Sequence, residues 1–180
     1  MARARISDFR AHKDEYFRDG ANSPLDPEDI GTFEGLSYFP ENPDLSFALE
    51  LDRSSPETNE TIALDTSDGL VVEFARAGTV TFPVGSKNVT LTVLKDLDRG
   101  RFFLPFRDAT TGNETYELGR YLDPQTNREG LVMVDFNYAY NPYCAYGEGW
   151  SCPIPPEENR LEVSIEAGEK DFRSPGRSNQ

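Results

Sequence analysis

Aromatic, amide and thiol side chains are concentrated between residues 102 and 169. Six of the eight tyrosines fall in this stretch, together with both cysteines and the only tryptophan, Trp150. Tyrosine and asparagine side chains can line a ligand pocket, where the rings stack and the polar groups orient the ligand. The alternative is a closed core in which the tyrosine hydroxyls reach backbone carbonyls. The candidate binding residues are Asp108, Tyr116, Arg120, Asp135, Asn137, Tyr140, Asn141, Cys144 and Cys152.

Three of these candidates are charges within strand-like, aromatic surroundings: Asp108, Arg120 and Asp135. Charged side chains are seldom buried unless they are paired. Residues 110–113 predict a hairpin turn, which would bring Asp108 near Arg120. Such a pair would only fix the fold, or Arg120 would hold a ligand carboxylate or phosphate through two hydrogen bonds. A third alternative is a hydrolase with Asp108 and Asp135 as acid and base, which requires the two carboxyls to lie close together.

The two cysteines, Cys144 and Cys152, are separated by the segment AYGEGWS. Two thiols alone do not complete a structural zinc site, which needs four ligands, so we predict no metal. Three states stay open: two reduced structural thiols, a disulfide, or a redox or nucleophilic cysteine. Glu148 is the nearest charge in the sequence, and we expect it to raise the pKa of a reactive thiol.

Several common chemistries are absent from the sequence. It contains no G-x-S-x-G elbow, no glycine-rich phosphate loop and no dinucleotide fingerprint, so we predict no cofactor. His12 is the only histidine, which argues against a nucleophile activated by histidine. Whether the protein is an enzyme stays open.

The pattern of apolar residues predicts the elements that must position these candidates. Residues 6–19 favour an amphipathic helix that ends at Gly20, with Phe9 and Phe17 on one face. From residue 33 onward apolar and polar residues alternate, as in residues 47–51, 89–93 and 161–165, which is typical of antiparallel strands. About nine or ten such strands predict an all-β barrel or sandwich with one N-terminal helix. We expect residues 1–170 to form a single β-rich domain and residues 171–180 a disordered tail.

The net charge of the chain indicates the environment in which it functions and limits the partners that it can bind. It has 32 acidic and 18 basic residues, a net charge of -14, and only four lysines. Self-repulsion of this size is costly at low ionic strength, so the composition favours a halophilic source. The excess of carboxylates argues against nucleic acid. No apolar run has the length of a membrane span or the form of a secretory signal, so we predict a cytoplasmic protein. Monomer and homodimer both stay open.

Three motifs resemble a known family. They are FRDATTGNETYELGRYL at 106–122, DFNYAYNPYCAY at 135–146 and CPIPPEENRL at 152–161. They resemble a prokaryotic family catalogued as domain of unknown function 1684, over nearly the whole chain. The resemblance implies a shared residue pattern without implying a reaction. The positions that it includes are Asp108, Thr115, Tyr116, Gly119, Arg120, Asp135, Asn137, Asn141, Cys144, Cys152 and Asn159.

These observations predict a β domain that binds a small molecule in a site lined by tyrosine, asparagine and arginine within residues 106–146. Two alternatives stay open. One is a structural or protein-interaction domain without a pocket, and the other is the carboxylate-based hydrolase.

The acidic composition generates a prediction about salt. Because the Debye length is only about 3 Å at 1 M salt, self-repulsion is largely screened there. We therefore expect the melting temperature to rise steeply between low and molar salt, as measured by thermal unfolding in a salt series. A melting temperature that stays flat over this range would contradict halophilic adaptation.

Overall fold

The computed structural model describes residues 5–173 as a β-rich fold with one main helix. Helix α1, Ile6–Asp19, ends at Gly20 as predicted, and a short helix, α2, spans Pro27–Ile30. The strands are β1 Ser46–Leu49, β2 Thr61–Asp65, β3 Val71–Val84, β4 Lys87–Asp96, β5 Phe102–Phe106, β6 Arg120–Leu122, β7 Gln125–Thr126 and β8 Val132–Asp135. Short 3-10 helices span Pro43–Leu45, Phe136–Tyr138, Tyr143–Ala145 and Glu157–Asn159.

The strands form two antiparallel sheets around a common core. The larger sheet has the order β2-β3-β4-β5-β6 and the smaller one β1-β8-β7. Isolated antiparallel bridges, Asp52–Thr79 and Tyr121–Tyr140, continue the pairing from the smaller sheet to the larger one, so the strands follow a barrel-like course. The interior is apolar and aromatic, with ring contacts among Phe47, Phe82, Phe106 and Phe136. The predicted fold class, mainly antiparallel β with an N-terminal helix, is confirmed.

One of the expected strand breaks is a bulge. The sequence suggests a turn at Ala77-Gly78, yet β3 is continuous and its register with β4 shifts between Arg76 and Gly78. A side chain at Gly78 would approach the carbonyl oxygen of Asp52 to 2.4 Å, so only glycine lets the two chains come this close. The pair Gly85-Ser86 predicts a tight hairpin turn from its residue types, and this turn is present, since Gly85 has a φ of 59° where β3 meets β4.

The alternation in residues 161–165 does not produce a regular strand. The backbone N–H groups of Leu161 and Ala109 donate to the carbonyls of Arg107 and Val163, so the segment runs beside residues 107–109 with irregular pairing. Beyond that point, the side chains of Asp108 and Arg120 bond to its backbone in place of a neighbouring strand. The alternation therefore shows which side chains of this segment point inward. The backbone hydrogen bonds that a neighbouring strand would make are made by the buried side chains of Asp108 and Arg120.

The family-pattern residue Asn159 has a clear structural role. Strands β4 and β5 pair only at residues 94–95 and 102–103, and their backbones then separate. The buried amide of Asn159 accepts from the N–H of Thr92 at 2.8 Å and donates to the carbonyls of Thr92 and Pro105, each at 2.8 Å. It thus satisfies buried backbone groups that no strand reaches.

Two glycines provide a test of the close packing near the last segment. Gly168 and Gly112 have φ values of 77° and 79°, so replacing either by alanine costs about 1–2 kcal/mol of backbone strain. At Gly168 a Cβ would also lie 2.6 Å and 2.7 Å from the carbonyl oxygens of Phe136 and Ala139, whereas at Gly112 it meets nothing within 4 Å. We expect Gly168→Ala to lose at least about 2 kcal/mol more than Gly112→Ala in urea unfolding. Equal losses of unfolding free energy would show that the backbone around Gly168 can shift to make room for the added methyl group.

Candidate functional site

Arg120 lies in the core with its side chain fully buried. Its guanidinium donates to the carbonyl of Ala167 at 2.5 Å, to that of Ile165 at 2.8 Å and to that of Glu169 at 3.3 Å. The expected ion pair with Asp108 is present, with Nη2 and Oδ1 3.5 Å apart. Burial lowers the pKa of Arg120 from its usual value, and Asp108 opposes this shift. Among residues 5–173, the hydrogen bonds of Arg120 go to three backbone carbonyls and to the Asp108 carboxylate.

Asp108 completes the same arrangement. Its carboxylate accepts from the Ile165 N–H at 2.6 Å and from the hydroxyls of Thr110 and Thr111 at 2.9 Å and 3.1 Å. Asp135 lies elsewhere, at the end of β8, where it accepts from the backbone N–H of Asn137. The two carboxylates accept from different parts of the backbone, Asp108 from Ile165 and Asp135 from Asn137.

The two asparagine candidates also bond to backbone. Asn137 is buried and exchanges two hydrogen bonds with the backbone of Asn42, at 2.7 Å and 2.9 Å. Asn141 donates from its amide to the carbonyl of Lys170 at 2.8 Å. Both residues connect segments that are distant along the chain, which is a bracing role.

A second buried charge, Glu169, was missed by the sequence analysis. Its carboxylate accepts from Lys13 Nζ on α1 at 2.8 Å, from the Asn141 N–H at 3.1 Å and from the Tyr146 hydroxyl. The signal was present, because Glu169 continues the inward-facing alternation of Ile165 and Ala167. A carboxylate at such a position needs partners, and they come from distant parts of the chain.

A groove lies between α1, the turn from β4 to β5, and residues 121–153. Its volume is about 1310 Å³. Its aromatic lining includes Tyr16, Phe103, Tyr121, Tyr140, Tyr143 and Trp150. Ring contacts connect this lining, with centroids 4.8 Å apart for Phe103 and Tyr121 and 4.9 Å apart for Tyr143 and Trp150. Of the nine sequence candidates, Tyr140 and Cys152 line this groove.

Charged groups lie among these rings. The Tyr140 hydroxyl donates to Asp123 Oδ2 at 2.7 Å, and Lys13 Nζ lies 5.2 Å from the centre of the Tyr140 ring. Burial raises the pKa of Tyr140 above its usual value, with a further contribution from Asp123. Although Asp123 has substantial exposed area, the concave surroundings displace water and raise its pKa, while Tyr140 and Arg101 act in the opposite direction. Tyr140 is therefore a neutral hydrogen-bond donor at physiological pH.

The two cysteines are free thiols in close contact. The Cys144 N–H donates to Cys152 Sγ at 3.4 Å, and the Tyr116 hydroxyl lies 3.5 Å from Cys144 Sγ. A hydrogen bond from Cys152 lowers the pKa of Cys144 to about 6 despite its partial burial, and Tyr116 contributes in the same direction. The same hydrogen bond, together with burial, raises the pKa of Cys152. The pKa of Cys144 is lowered and not raised as expected from Glu148, because hydrogen bonds from Cys152, Tyr116 and Ser67 stabilise the thiolate.

Two classes of feature are absent from residues 5–173. No group of three or more histidine, cysteine, aspartate or glutamate side chains is placed to hold a metal ion. No helix in this part of the chain is long and apolar enough to cross a membrane. Phe172, in the predicted tail, contacts Phe33 and Tyr146, and residues 174–180 of that tail lie outside the described residues.

Mutation of the buried arginine tests its bracing role. Arg120→Ala leaves Asp108 and three backbone carbonyls without their partner, and removing one member of a buried pair typically costs about 3–5 kcal/mol. We expect a loss of this size in urea unfolding at molar salt. The control is Arg128→Ala, at an exposed loop position, which should leave stability unchanged. If Arg120→Ala had the same free energy of unfolding as Arg128→Ala, the bracing role would be contradicted.

The chain is similar to one protein family and to a solved structure. Residues 31–170 match the family described as "Protein of unknown function (DUF1684)". The fold is similar to the solution NMR structure of an uncharacterised protein from Haloarcula marismortui, with a TM-score of 0.65 and 36% sequence identity, covering 92% of this chain and 91% of that chain. No curated protein matches the chain.

Proposed function

The chain belongs to the DUF1684 family, as its motifs predicted, and we propose that it binds a small organic anion with a planar ring in the groove beside α1. The observation that carries this proposal is the aromatic lining of the groove, contributed by α1, β5 and the segments after β6 and β8. Its volume of about 1310 Å³ exceeds the roughly 300–1,000 Å³ typical of small-molecule sites. A ligand of moderate size therefore fits with room for water.

The aromatic walls favour a planar ligand. Tyr121, Tyr140 and Trp150 come from different segments and are held by ring contacts within the lining, Tyr121 with Tyr140 and Trp150 with Tyr143. The Tyr121 hydroxyl also donates to the carbonyl of Pro153. Rings fixed in this way stack on a flat apolar group with little loss of conformational entropy.

The cations of the groove favour an anion. Lys13, Arg99 and Arg101 line it together with Asp96 and Asp123, and Lys13 is already paired with Glu169, so Arg99 and Arg101 are the cations that a ligand would meet. The side chains of Arg99 and Arg101 form no ion pair among the described residues. Each guanidinium can therefore hold a carboxylate or phosphate through two hydrogen bonds.

Tyr140 is the residue that we propose orients the ligand. Its hydroxyl is fixed by Asp123 at 2.7 Å and its ring faces Lys13, which in turn is held by Glu169. The phenolic oxygen keeps acceptor capacity for a ligand donor. A hydrolase based on Asp108 and Asp135 receives no support from this geometry, because the Asp108 carboxylate is already bonded to Arg120, Ile165 and two threonines.

Habitat forms a separate part of the proposal. We infer that the acidic surface is an adaptation to a cytoplasm rich in salt. Two observations support this inference: the excess of 32 acidic over 18 basic residues, and the similarity to a protein from the halophile Haloarcula marismortui.

The single tryptophan provides a direct test of ligand binding. Trp150 lines the groove, so its emission should change when an aromatic carboxylate binds, and matching neutral amides should bind more weakly. The double variant Arg99→Ala/Arg101→Ala should bind the carboxylates roughly tenfold or more weakly, since a hydrogen bond to a charged group contributes about 1.5–3 kcal/mol. The measurement is a fluorescence titration of a panel of aromatic carboxylates and their amides in molar salt.

Matched tyrosine variants provide the control. Tyr140→Phe keeps the ring and removes the hydroxyl that bonds Asp123, so it should weaken binding. Tyr38→Phe makes the same change outside the groove lining, at a hydroxyl without a hydrogen-bond partner in residues 5–173, and should bind normally. If no carboxylate or amide in the panel changes the emission of Trp150 or the melting temperature, the proposal is wrong.

A further inference from the structure

We propose that Cys144 and Cys152 form a peroxide-reactive dithiol, which hydroperoxides oxidise to an intramolecular disulfide and external thiols reduce again. This proposal goes beyond ligand binding in the groove and does not depend on which ligand the groove accepts. It rests on the placement of the two thiols, of Tyr116 and of the groove wall.

The fold brings the two cysteines together from opposite ends of a loop. Cys144 lies in the 3-10 helix Tyr143–Ala145, and its N–H donates to Cys152 Sγ at 3.4 Å. The loop between them is tied to its surroundings at its middle and at its C-terminal end. The Glu148 N–H donates to Asp26 at 3.1 Å, and the Cys152 N–H donates to the Ser67 hydroxyl at 3.1 Å. The Cys152 sulfur therefore lies against the backbone of Cys144, and the two thiols are not covalently bonded.

The two thiols have different environments, which assigns their roles. Cys144 is half-buried, and its sulfur lies 3.5 Å from the Tyr116 hydroxyl, which stabilises a thiolate there. The titratable groups that act on this sulfur are Cys152, Tyr116 and Tyr121. Together these contacts hold the pKa of Cys144 at about 6, whereas the pKa of Cys152 is raised. Cys144 is thus the attacking thiol and Cys152 the resolving thiol.

A small peroxide can reach Cys144, the attacking thiol, because this residue is only half-buried. Cys152 lines the groove, next to Trp150 and Pro153 on the same wall. The Cys152 side chain is buried, which suits a thiol that resolves the Cys144 sulfenic acid and does not meet the oxidant itself. The exposed Trp150 belongs to the loop that the disulfide would close.

The reaction balances with a hydroperoxide as oxidant. The Cys144 thiolate attacks the terminal peroxide oxygen, forming an S–O bond and breaking the O–O bond, and the alkoxide leaves and takes a proton from solvent. The Cys152 sulfur then attacks the Cys144 sulfenic acid, forming the S–S bond, and the hydroxyl leaves as water with the proton of the Cys152 thiol. Two electrons pass from the two sulfurs to the peroxide. Two equivalents of an external thiol reverse the change by thiol–disulfide exchange.

The first experiment uses the unaltered full chain with hydrogen peroxide as the probe. The reduced protein receives one equivalent of peroxide, is alkylated with iodoacetamide and is weighed intact by mass spectrometry. We expect loss of both alkylatable thiols, a mass decrease of two hydrogens in a monomeric product, and full recovery with dithiothreitol. Retention of both thiols, or a disulfide between two chains, would overturn the proposal.

Variants then test the assigned roles. In Cys152→Ser, peroxide should produce a sulfenic acid at Cys144 that dimedone traps. In Cys144→Ser, Cys152 should react roughly tenfold or more slowly, since its side chain is buried and burial alone still raises the pKa of its thiol. Trapping at Cys152 alone would overturn the assignment.

A pH profile separates this role from a purely structural one. The rate of Cys144 alkylation in the unaltered chain should rise with pH through a midpoint of about 6, as the thiolate forms. Tyr116→Phe removes a hydrogen bond to that thiolate, so its midpoint should move upward toward the ordinary cysteine value of about 8.5. A midpoint that is ordinary in the unaltered chain would contradict an activated Cys144.

Discussion

The buried hydrogen bonds of Arg120 anchor the last part of the chain. Residues 165–169 are mostly buried and have no regular strand partner, and the carbonyls of Ala167 and Glu169 accept from Arg120 alone among the described backbone and side-chain donors. A buried polar group without a partner costs about 1–3 kcal/mol, and Arg120 satisfies three carbonyls in this one segment. Asp108 balances its charge and binds the Ile165 N–H. A charged residue therefore serves here as a connector between backbones.

This anchor also determines where the groove can form. Once residues 165–169 are fixed, the Glu169 carboxylate faces α1 and accepts from Lys13 at 2.8 Å. The helix is held by this ion pair together with the packing of Phe17 on Tyr146, whose ring centroids lie 4.8 Å apart. Since α1 forms one wall of the groove, the buried charges position a surface that they do not themselves line. The buried charges that brace the core therefore also hold in place one wall of the proposed binding groove.

The opposite wall combines rigidity with reactivity. Residues 140–153 contain Tyr140, fixed by Asp123, and the two thiols, whose contact depends on the loop between them. Aromatic rings in this wall require close packing, whereas thiol chemistry requires access for a small molecule. The half-buried Cys144 keeps access for a small molecule, while the buried Cys152 packs into the wall of the groove.

Local pattern predicted a large part of the fold. Apolar residues at helical spacing identified α1 to its last residue, and alternation identified the inward face of most strands. The turn at Gly85 followed from its residue types. The prediction of a turn at Gly78 was wrong. Glycine is required there because the backbone of Asp52, which is distant in the sequence, lies too close for a side chain.

The candidate site was only partly predictable. Tyr140 and Cys152 were identified because aromatic and thiol side chains are recognisable by type, and the Asp108–Arg120 pair followed from a predicted turn. Glu169 and its partner Lys13 were missed, since 156 positions separate them.

The sequence by itself determined the helix, the strand faces, the acidic charge and the family, because periodicity and motifs are local properties. Only the tertiary structure decided which charges meet, which tyrosines face the groove and that Cys152 lowers the pKa of Cys144. Those outcomes depend on burial and on hydrogen bonds between distant segments. Such contacts exist only after the chain has folded, and residue order alone leaves them open.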